Sequence, residues 1–394
     1  MNVILFDEPL TRTNLLPLTF IRPVADIRIG ILTIREKWEK FTGNTTSTKT
    51  QTYLSDKYPT EYTIDTDNIW INGSVLPNAA LLEEIKNLQH DHVLISKDIV
   101  VAINSGNEQS FPAHATTHSS FTKIDSRAEI NQVNVPWDIF SKNDQALRAD
   151  FELLTAGRKS LPLSTTNLVI GEDKIFLEEG AKVECSILNA DTGPIYIGKD
   201  AEVMEGSIIR GPFSLGEHSA LKLGTKIYGA TTIGPHSKVG GEVNNSVIFG
   251  YSNKAHDGFL GNSVIAEWCN LRADTNNSNL KNNYGIVKLW NYGKKDYVAT
   301  GLTFCGLVMG DHSKCGINTM FNTGTVVGIN ANIFGAGFPP THIPSFSWGG
   351  ADSSTTYKIQ NAFEVAAKVF ERRGLIFDEQ EQKILTHIFE ITRA

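Results

Sequence analysis

The strongest constraint on the fold is a period of six in the middle of the chain. From Ile197 to Val239 every sixth residue is aliphatic, namely Ile197, Val203, Ile209, Leu215, Leu221, Ile227, Ile233 and Val239. Neither an α-helix nor a simple strand has this period. It is typical of a parallel β-helix, in which each unit forms one short strand and one corner, and three units close a triangular coil. The sequence therefore predicts a β-helix with these residues pointing inward.

The repeat is interrupted and then resumes at Met309, Cys315, Phe321, Val327 and Ile333. The interval 245–305 is rich in asparagine, glycine, lysine and tyrosine. Within it, only Ile265 and Leu271 retain the six-residue spacing of the repeat. We expect this interval to be a loop extruded from the scaffold. Such a loop is held rigidly while its sequence is free, so it is where chemistry is expected.

The regions on either side follow other patterns. The N-terminal part alternates strand, loop and helix, which is typical of an α/β domain; its first helix is predicted to begin at Pro23 and to end at Gly43. Two C-terminal helices are expected to cover the open end of the β-helix. The inward faces of those helices are Ile359, Phe363, Ala366 and Phe370, then Ile384, Ile388 and Ile391. The predicted domains are 1–155, 165–345 and 353–394.

Composition limits the class of protein and its partners. A formal charge of −7 argues against a non-specific nucleic-acid binder. The four cysteines are scattered, which is typical of free thiols in a reducing compartment. No apolar run reaches transmembrane length, and the opening residues do not form a signal peptide. A cytoplasmic protein that does not bind a membrane is expected.

One window in the interrupted interval resembles a known family. It reads Lys254-Ala-His256-Asp-Gly-Phe259-Leu260-Gly261, and is followed by Asn270, Ala273 and Asn279 and preceded by Glu242. This pattern is similar to the acetyltransferase motif of the GlmU-like bifunctional family, which acetylates glucosamine-1-phosphate and couples the product to UTP. Phe259 replaces the family's tyrosine, and Asn244 replaces its phosphate-binding lysine.

The resemblance implies a left-handed β-helix, a homotrimer and a set of residue roles. His256 and Asn270 would be catalytic, and Ala273 would lie near acetyl-CoA. Histidine suits the role of general base, because its unperturbed pKa lies near ~6.5. Glu242, Phe259 and Asn279 would bind the sugar phosphate, with the missing positive charge supplied by lysines or arginines. The candidates are Arg210, Lys226, Lys254, Arg272, Lys281 and Lys288.

The N-terminal region resembles the opening of a sugar-phosphate nucleotidyltransferase. The matching residues are Arg12, the stretch Leu15-Leu16-Pro17-Leu18-Thr19, Arg22-Pro23 and Asn72-Gly73-Ser74. The resemblance implies that Arg12, Arg22, Asn72 and Gly73 bind UTP or another nucleoside triphosphate, and that Asp7 holds Mg²⁺. The family's glycine-rich loop is missing, since Asp7-Glu8-Pro9-Leu10-Thr11 stands in its place, and Ser74 replaces the metal-binding aspartate. A working site and a domain kept for structure or regulation both remain open.

Together these patterns predict a transferase that makes UDP-N-acetylglucosamine by acetyl transfer followed by uridylyl transfer. Two alternatives are a nucleotidyltransferase whose β-helix only directs assembly, and a non-catalytic trimeric sensor or scaffold. A zinc enzyme built on the β-helix histidines is a further alternative. His218, His236, His256 and His312 lack the close spacing expected of that class.

Overall fold

Residue contacts divide the chain into two compact units. The computed structural model describes residues 1–106, 111 and 121–393. The first unit comprises Met1–Leu15, Ile21–Ile27 and Leu32–Val135, and the second comprises Leu16–Phe20, Arg28–Ile31 and Pro136–Ala394. The predicted boundary at residue 155 therefore differs from the structure, in which the second unit takes over at Pro136.

The first unit is an α/β domain built on a six-stranded sheet. Its strands are β1 Asn2–Phe6, β2 Thr46–Lys49, β3 Asn68–Asn72, β4 Val75–Leu76, β5 His92–Ser96, β6 Ile99–Asn104, β7 Thr122–Asp125 and β8 Asn131–Gln132. The sheet has the order β2-β1-β3-β6-β5-β7, and β1 runs parallel to both β2 and β3. The helices are α1 Pro9–Asn14, α2 Ile34–Thr42 and α3 Ala79–Lys86.

Helix α2 begins later than the sequence pattern predicts. A 3-10 turn over Val24–Asp26 ends when Ile27 becomes extended. Thr33 then caps α2, since its side chain accepts from Glu36 N while the Glu36 carboxylate accepts from the Thr33 amide. The predicted end at Gly43 is confirmed, because this residue closes the helix at φ +73°.

The second unit is a three-faced parallel β-helix. Its first face has nine strands: β10 Ile175–Leu177, β13 Ile195–Ile197, β16 Phe213–Leu215, β19 Thr231–Ile233, β22 Val247–Ile248, β25 Val264–Ile265, β30 Val308–Met309, β33 Val326–Val327 and β35 His342–Ile343. Its second face has ten: β11 Lys182–Val183, β14 Glu202–Val203, β17 Ala220–Leu221, β20 Lys238–Val239, β23 Asn253–Lys254, β26 Asn270–Leu271, β31 Lys314–Cys315, β34 Asn332–Ile333, β36 Ser347–Gly349 and the antiparallel β37 Ser354–Thr356.

The third face is shorter. It has six strands: β9 Leu168–Ile170, β12 Ile187–Asn189, β15 Ile208–Arg210, β18 Lys226–Tyr228, β21 Glu242–Asn244 and β24 Phe259–Gly261. A separate parallel pair, β27 Asn276–Asn277 and β32 Met320–Phe321, follows them along the chain. An antiparallel hairpin, β28 Lys288–Asn291 and β29 Asp296–Ala299, leaves the coils.

The predicted inward positions are confirmed. Each of the thirteen aliphatic, aromatic or sulfur-containing residues of the two hexad runs belongs to one buried cluster, with at most 2% of its surface exposed. They stack in register, so that Ile197 pairs with Leu215 and Leu215 with Ile233. Burial of such columns is the main contribution to the stability of a solenoid of this kind.

The prediction of an extruded loop over 245–305 is wrong for its first half. Strands β22 to β27 lie in this interval and continue the coils. The hexad disappears from the sequence because the coil length changes: successive first-face partners Leu215, Ile233, Ile248 and Ile265 are 18, 15 and 17 residues apart. The chain leaves the coils only between β27 and β30, where it forms the β28–β29 hairpin.

Four helices complete the second unit: α4 Pro136–Ser141, α5 Asn143–Thr155, α6 Ile359–Glu371 and α7 Glu379–Arg393. Helix α5 packs on the coils, where Asn143 Nδ2 donates to Ala230 O at 3.0 Å. Among the described helices, none is long and apolar enough to cross a membrane.

The C-terminal helices lie along one side of the β-helix as well as near its end, which differs from the predicted end cover. Phe370 of α6 stacks on Trp268, with ring centroids 4.2 Å apart, although Trp268 lies several coils before the last one. Phe389 of α7 packs against Phe346, which precedes β36. The predicted burial of Ile384 and Ile388 is confirmed, but Ile391 is 52% exposed.

Candidate active site

His256 lies on an exposed corner between the second and third faces. Strand β23 ends at Lys254 and β24 begins at Phe259, so residues 255–258 turn the corner. The corner of the next coil carries Ala273, because Asn253 pairs with Asn270 and Asp274 N donates to Asp257 O at 3.1 Å. His256 and Ala273 therefore occupy equivalent places on successive coils.

Three other predicted residues form one outward-facing row on the third face. Lys226 pairs with Glu242, and Glu242 pairs with Phe259. Adjacent strands lie ~4.8 Å apart, so a sugar-sized molecule would touch more than one of these side chains. The Glu242 carboxylate is held by Tyr228, whose hydroxyl donates to Oε1 at 2.5 Å. Burial first and this bond second raise the pKa of Tyr228 to about 12.

Asn279 lies beside this row. A Cβ at Gly261 would be 2.5 Å from Phe259 Cζ and 2.6 Å from Asn279 Nδ2. The Phe259 ring and the Asn279 amide therefore both pack directly against this glycine. Asn279 Nδ2 donates to Asn262 Oδ1 at 2.7 Å, which fixes the amide's orientation. Glycine is needed at position 261 because of this close approach rather than for its backbone angles.

Two predicted residues lie elsewhere. Asn270 is on β26 of the second face, where it pairs with Asn253 and Lys314, so the corner separates it from the Glu242 row. Lys281 lies in the segment that leaves the coils, and its Nζ donates to Ile286 O at 3.0 Å. The structure thus brings together Lys226, Glu242, Phe259 and Asn279, with His256 and Ala273 at the adjoining corner.

Lys254 does not face solvent, contrary to its predicted role in binding substrate. It pairs with Val239 in an inward column, and only 2% of its surface is exposed. Its Nζ donates to His256 O at 2.6 Å and to Asp257 O at 3.2 Å. Burial lowers the pKa of this ammonium to about 8.

The residues predicted to bind nucleotide and metal gather in the first unit, at the carboxyl ends of parallel strands. Asp7 follows β1, and Gly73 follows β3 and donates from its amide to Phe6 O at 2.9 Å. This edge of a sheet is where open α/β folds bind ligands. Asn72 is buried, with Nδ2 donating to Val100 O at 3.0 Å and Oδ1 accepting from the Ser74 hydroxyl at 2.7 Å.

The charged residues of this cluster are also buried. Asp7 accepts from Val24 N at 2.8 Å and from Thr50 Oγ1 at 2.6 Å, and lies 3.5 Å from Arg12 Nε. Burial raises the pKa of Asp7 to about 6 despite these partners. Arg12 Nη2 donates to the Tyr53 hydroxyl at 2.7 Å. Arg22 is 3% exposed.

The missing glycine-rich loop is replaced by a capped helix. The Glu8 carboxylate accepts from Leu10 N at 3.0 Å and from Thr11 N at 2.6 Å, at the start of α1. These amides point at a carboxylate of the chain itself. The prediction did not include Glu8, although an acidic residue followed by Pro9 is a recognisable helix start.

The structure gives no support to the zinc alternative. Within the described ranges, no group of three or more histidine, cysteine, aspartate or glutamate side chains could hold a metal ion. Three of the four histidines lie instead in a stacked row with aromatic residues. His218 and His236 have ring centroids 5.0 Å apart, and the row continues through Tyr251 and Trp268 to His312.

Two comparisons by sequence found known proteins that resemble this chain. Residues 3–159, which are less than half of the chain, match the family model described as sugar nucleotidyl transferase. A bifunctional sugar-1-phosphate nucleotidylyltransferase/acetyltransferase of Sulfurisphaera tokodaii is 31% identical over 204 residues, which is 51% of this chain and 44% of the relative. The chain thus spans less than half the length of that relative.

Solved structures of UDP-N-acetylglucosamine acyltransferases also match. The Arabidopsis protein is 15% identical, covers 56% of this chain and 80% of its own, and has a TM-score of 0.24. The Campylobacter jejuni protein is 16% identical, covers 59% and 82%, and has a TM-score of 0.21. Scores this low add nothing to the β-helix, which follows from the strand register. The sequence relatives confirm the predicted resemblance to bifunctional nucleotidyltransferase/acetyltransferases and agree with a transferase.

Proposed function

We propose that this chain transfers the acetyl group of acetyl-CoA to the amine of an amino-sugar 1-phosphate, with glucosamine-1-phosphate as the first candidate. The observation that carries the proposal is the exposed His256 on a corner of the β-helix, next to the outward row of Lys226, Glu242 and Phe259. A general base beside a patterned polar face is what amide formation from a thioester requires.

The residues suggest the following sequence of bond changes. The neutral imidazole of His256 takes a proton from the amine as its nitrogen attacks the thioester carbonyl. The tetrahedral intermediate then collapses, the carbon–sulfur bond breaks, and the imidazolium returns the proton to the thiolate of coenzyme A. Glu242, fixed by Tyr228, would bind sugar hydroxyls, while Lys226 would meet the phosphate. Phe259 and Asn279 would contact the sugar ring, and Asn270 remains a predicted catalytic residue.

The acyl donor would lie along the corner that begins at His256. Beyond Ala273 this corner carries Ile317, since Asn318 N donates to Ala273 O at 2.9 Å, and then Phe334, which follows β34. Ile317 is 64% and Phe334 44% exposed. Apolar side chains in this place are suited to the pantetheine arm of the donor.

A homotrimer is the assembly that we propose. Leu168, Ile187 and Ile208 pair in register on the outer side of the third face, and 39–59% of each is exposed. A continuous exposed apolar row on a soluble protein is typical of a contact surface. Ile208→Asp should convert a trimer into monomers in light scattering, and a monomeric unsubstituted protein would contradict the assignment.

Nucleotidyl transfer is the second candidate, and the family match over residues 3–159 favours it. It would join the acetylated product to UTP, giving UDP-N-acetylglucosamine and pyrophosphate, with Arg12 and Arg22 as cations for the phosphates. The donors around Asp7 do not fit the predicted Mg²⁺, because its carboxylate already accepts from Val24 and Thr50 and lies against a guanidinium. No step is therefore assigned to a metal at Asp7.

The test is acceptor-dependent release of thiol from acetyl-CoA. Glucosamine-1-phosphate should release thiol, and N-acetylglucosamine-1-phosphate, which has no amine, is the matched control. UTP and Mg²⁺ are then added and pyrophosphate is assayed. Pyrophosphate without thiol release would favour a β-helix used only for assembly. If neither thiol nor pyrophosphate is released, with other amino-sugar phosphates also tried, the result would favour the non-catalytic sensor or scaffold.

A further inference from the structure

A lysine lies inside the β-helix, in a column of the second face that is otherwise apolar. Lys254 pairs with Val239, and their column begins with Val183 and continues through Val203 and Leu221. An ammonium in such a column is costly, since burial disfavours a charge unless polar groups replace the water. Its position therefore calls for a reason beyond packing.

The ammonium of Lys254 reaches the backbone of the corner that carries His256. Nζ donates to the carbonyls of His256 and Asp257, at 2.6 and 3.2 Å. The corner is also closely packed by the preceding coil, because a Cβ at Gly241 would be 2.9 Å from His256 O and 2.8 Å from Gly258 O. Gly258 turns the chain at φ +114°, a conformation that favours glycine.

We propose that Lys254 is a positioning residue, which fixes the corner backbone and so holds the His256 imidazole where it can reach the acceptor amine. The role in turnover rests on the proposed acyl transfer. The fixing of the corner can be tested by itself. A displacement of about 1 Å at a reacting group can cost ~10²-fold in rate.

The effect of Lys254 on the stability of the fold separates a positioning role from a purely structural one. The pKa of Lys254 is lowered to about 8 by burial, while Asp257, Cys315 and Asp274 act in the opposite direction. Because the folded-state pKa is lower than the unfolded one, the folded state binds fewer protons between about pH 8 and 10.5, and stability rises with pH there. Below pH 8 the charged lysine lowers stability, so Lys254→Met should leave stability unchanged or raise it.

Lys314 provides a matched control. Its Nζ also bonds a histidine carbonyl, His312 O at 2.7 Å, and burial also lowers its pKa to about 8. His312, however, lies in the stacked aromatic row and not on the His256 corner. Lys314 pairs with Asn270 on the second face, so Lys314→Met removes a buried ammonium without touching the His256 corner and serves as the control for hydrogen exchange at that corner.

The experiment compares Lys254→Met and Lys314→Met with the unsubstituted protein, with Lys254→Gln as a second variant should the first not fold. Hydrogen exchange of the peptide covering 255–258, acetyl transfer to glucosamine-1-phosphate and denaturant unfolding are measured. Lys254→Met should speed exchange at the corner and lower kcat ~10- to 100-fold, with KM for acetyl-CoA within about twofold. Lys314→Met should leave the exchange of residues 255–258 unchanged.

Unchanged exchange in Lys254→Met would overturn the fixing of the corner, and faster exchange with unchanged kcat would overturn its role in turnover. Equally fast exchange of residues 255–258 in Lys314→Met would also overturn the specific role of Lys254. If the unsubstituted protein transfers no acetyl group, the proposed function fails and the role in turnover fails with it. The exchange data would still decide whether Lys254 holds the corner.

Discussion

The two units place their polar candidate residues in opposite ways. In the β-helix unit, Lys226 and Glu242 project outward from short strands and His256 from a corner, while the inner side chains of the coils carry the stability. In the α/β unit, Asp7, Arg12 and Asn72 are buried and bonded to groups of the same unit. A side chain that projects into solvent can be selected mainly for chemistry, whereas a buried one also contributes to folding.

The largest expected effect is on the free energy of unfolding, and it compares a buried cation of the first unit with an exposed cation of the β-helix. Arg12→Ala should lower the free energy of unfolding by ~3–5 kcal/mol, because it leaves Asp7 as an uncompensated buried charge. Lys226→Ala, on the outer side of β18, should change it by less than ~0.5 kcal/mol. Urea unfolding of both variants provides the measurement. Equal losses would remove the distinction between the two units.

The pH dependence of stability sharpens the contrast at Asp7. Its folded-state pKa of about 6 lies above the unfolded value of 3.8, so the folded state binds more protons between these values. Stability should therefore fall as the pH rises from about 4 to 6 and stay lower above that. Asp7→Asn should flatten this slope and remove a cost of about 3 kcal/mol, because one unit of pKa corresponds to ~1.4 kcal/mol.

Unfolding curves of the unsubstituted protein and Asp7→Asn at several pH values would show the difference. Asp257, on the exposed corner, offers the matched control, and Asp257→Asn should keep the slope. A steeper slope in Asp7→Asn would contradict the assignment of this carboxylate.

The smallest expected effect concerns the helix that replaces the glycine-rich loop. Glu8→Gln keeps the shape of the cap but removes the charge at the start of α1, and should cost roughly 0.3–1 kcal/mol. If the amides of Leu10 and Thr11 bind a nucleotide phosphate in place of the Glu8 carboxylate, UTP should protect Glu8→Gln against thermal unfolding more than it protects the unsubstituted protein. Equal protection would show that the carboxylate does not compete with phosphate.

The β-helix was predictable from the sequence where its coils are regular, and less so where they are not. The six-residue repeat from Ile197 to Val239 indicates the β-helix directly. A coil of 18 residues holds three units of six, so the inward residues stay six apart from one coil to the next. The shorter coils after Ile233 shift the phase, which is why β22 to β27 were predicted as a loop. A shift of this kind leaves inward residues in place but hides their spacing.

The candidate site was predictable as a set of positions, but not as an arrangement. Glu242 and Phe259 pair across strands, which strand register alone reveals. The inward direction of Lys254 could not be read from a motif in which lysine suggests a phosphate contact. The start of α1 is visible in Glu8-Pro9, whereas the resemblance to a nucleotidyltransferase predicts a glycine-rich loop at this place and says nothing of a helix cap.

The central claim is that the exposed corner carries the chemistry, and one substitution tests it most directly. His256→Ala is compared with His218→Ala, a partly exposed histidine of the stacked row, in amine-dependent thiol release from acetyl-CoA. His256→Ala should lower thiol release by ~10²-fold or more, and His218→Ala should change it by less than about twofold. The unfolding curve of His256→Ala should match that of the unsubstituted protein. Undiminished thiol release by His256→Ala would contradict the central claim.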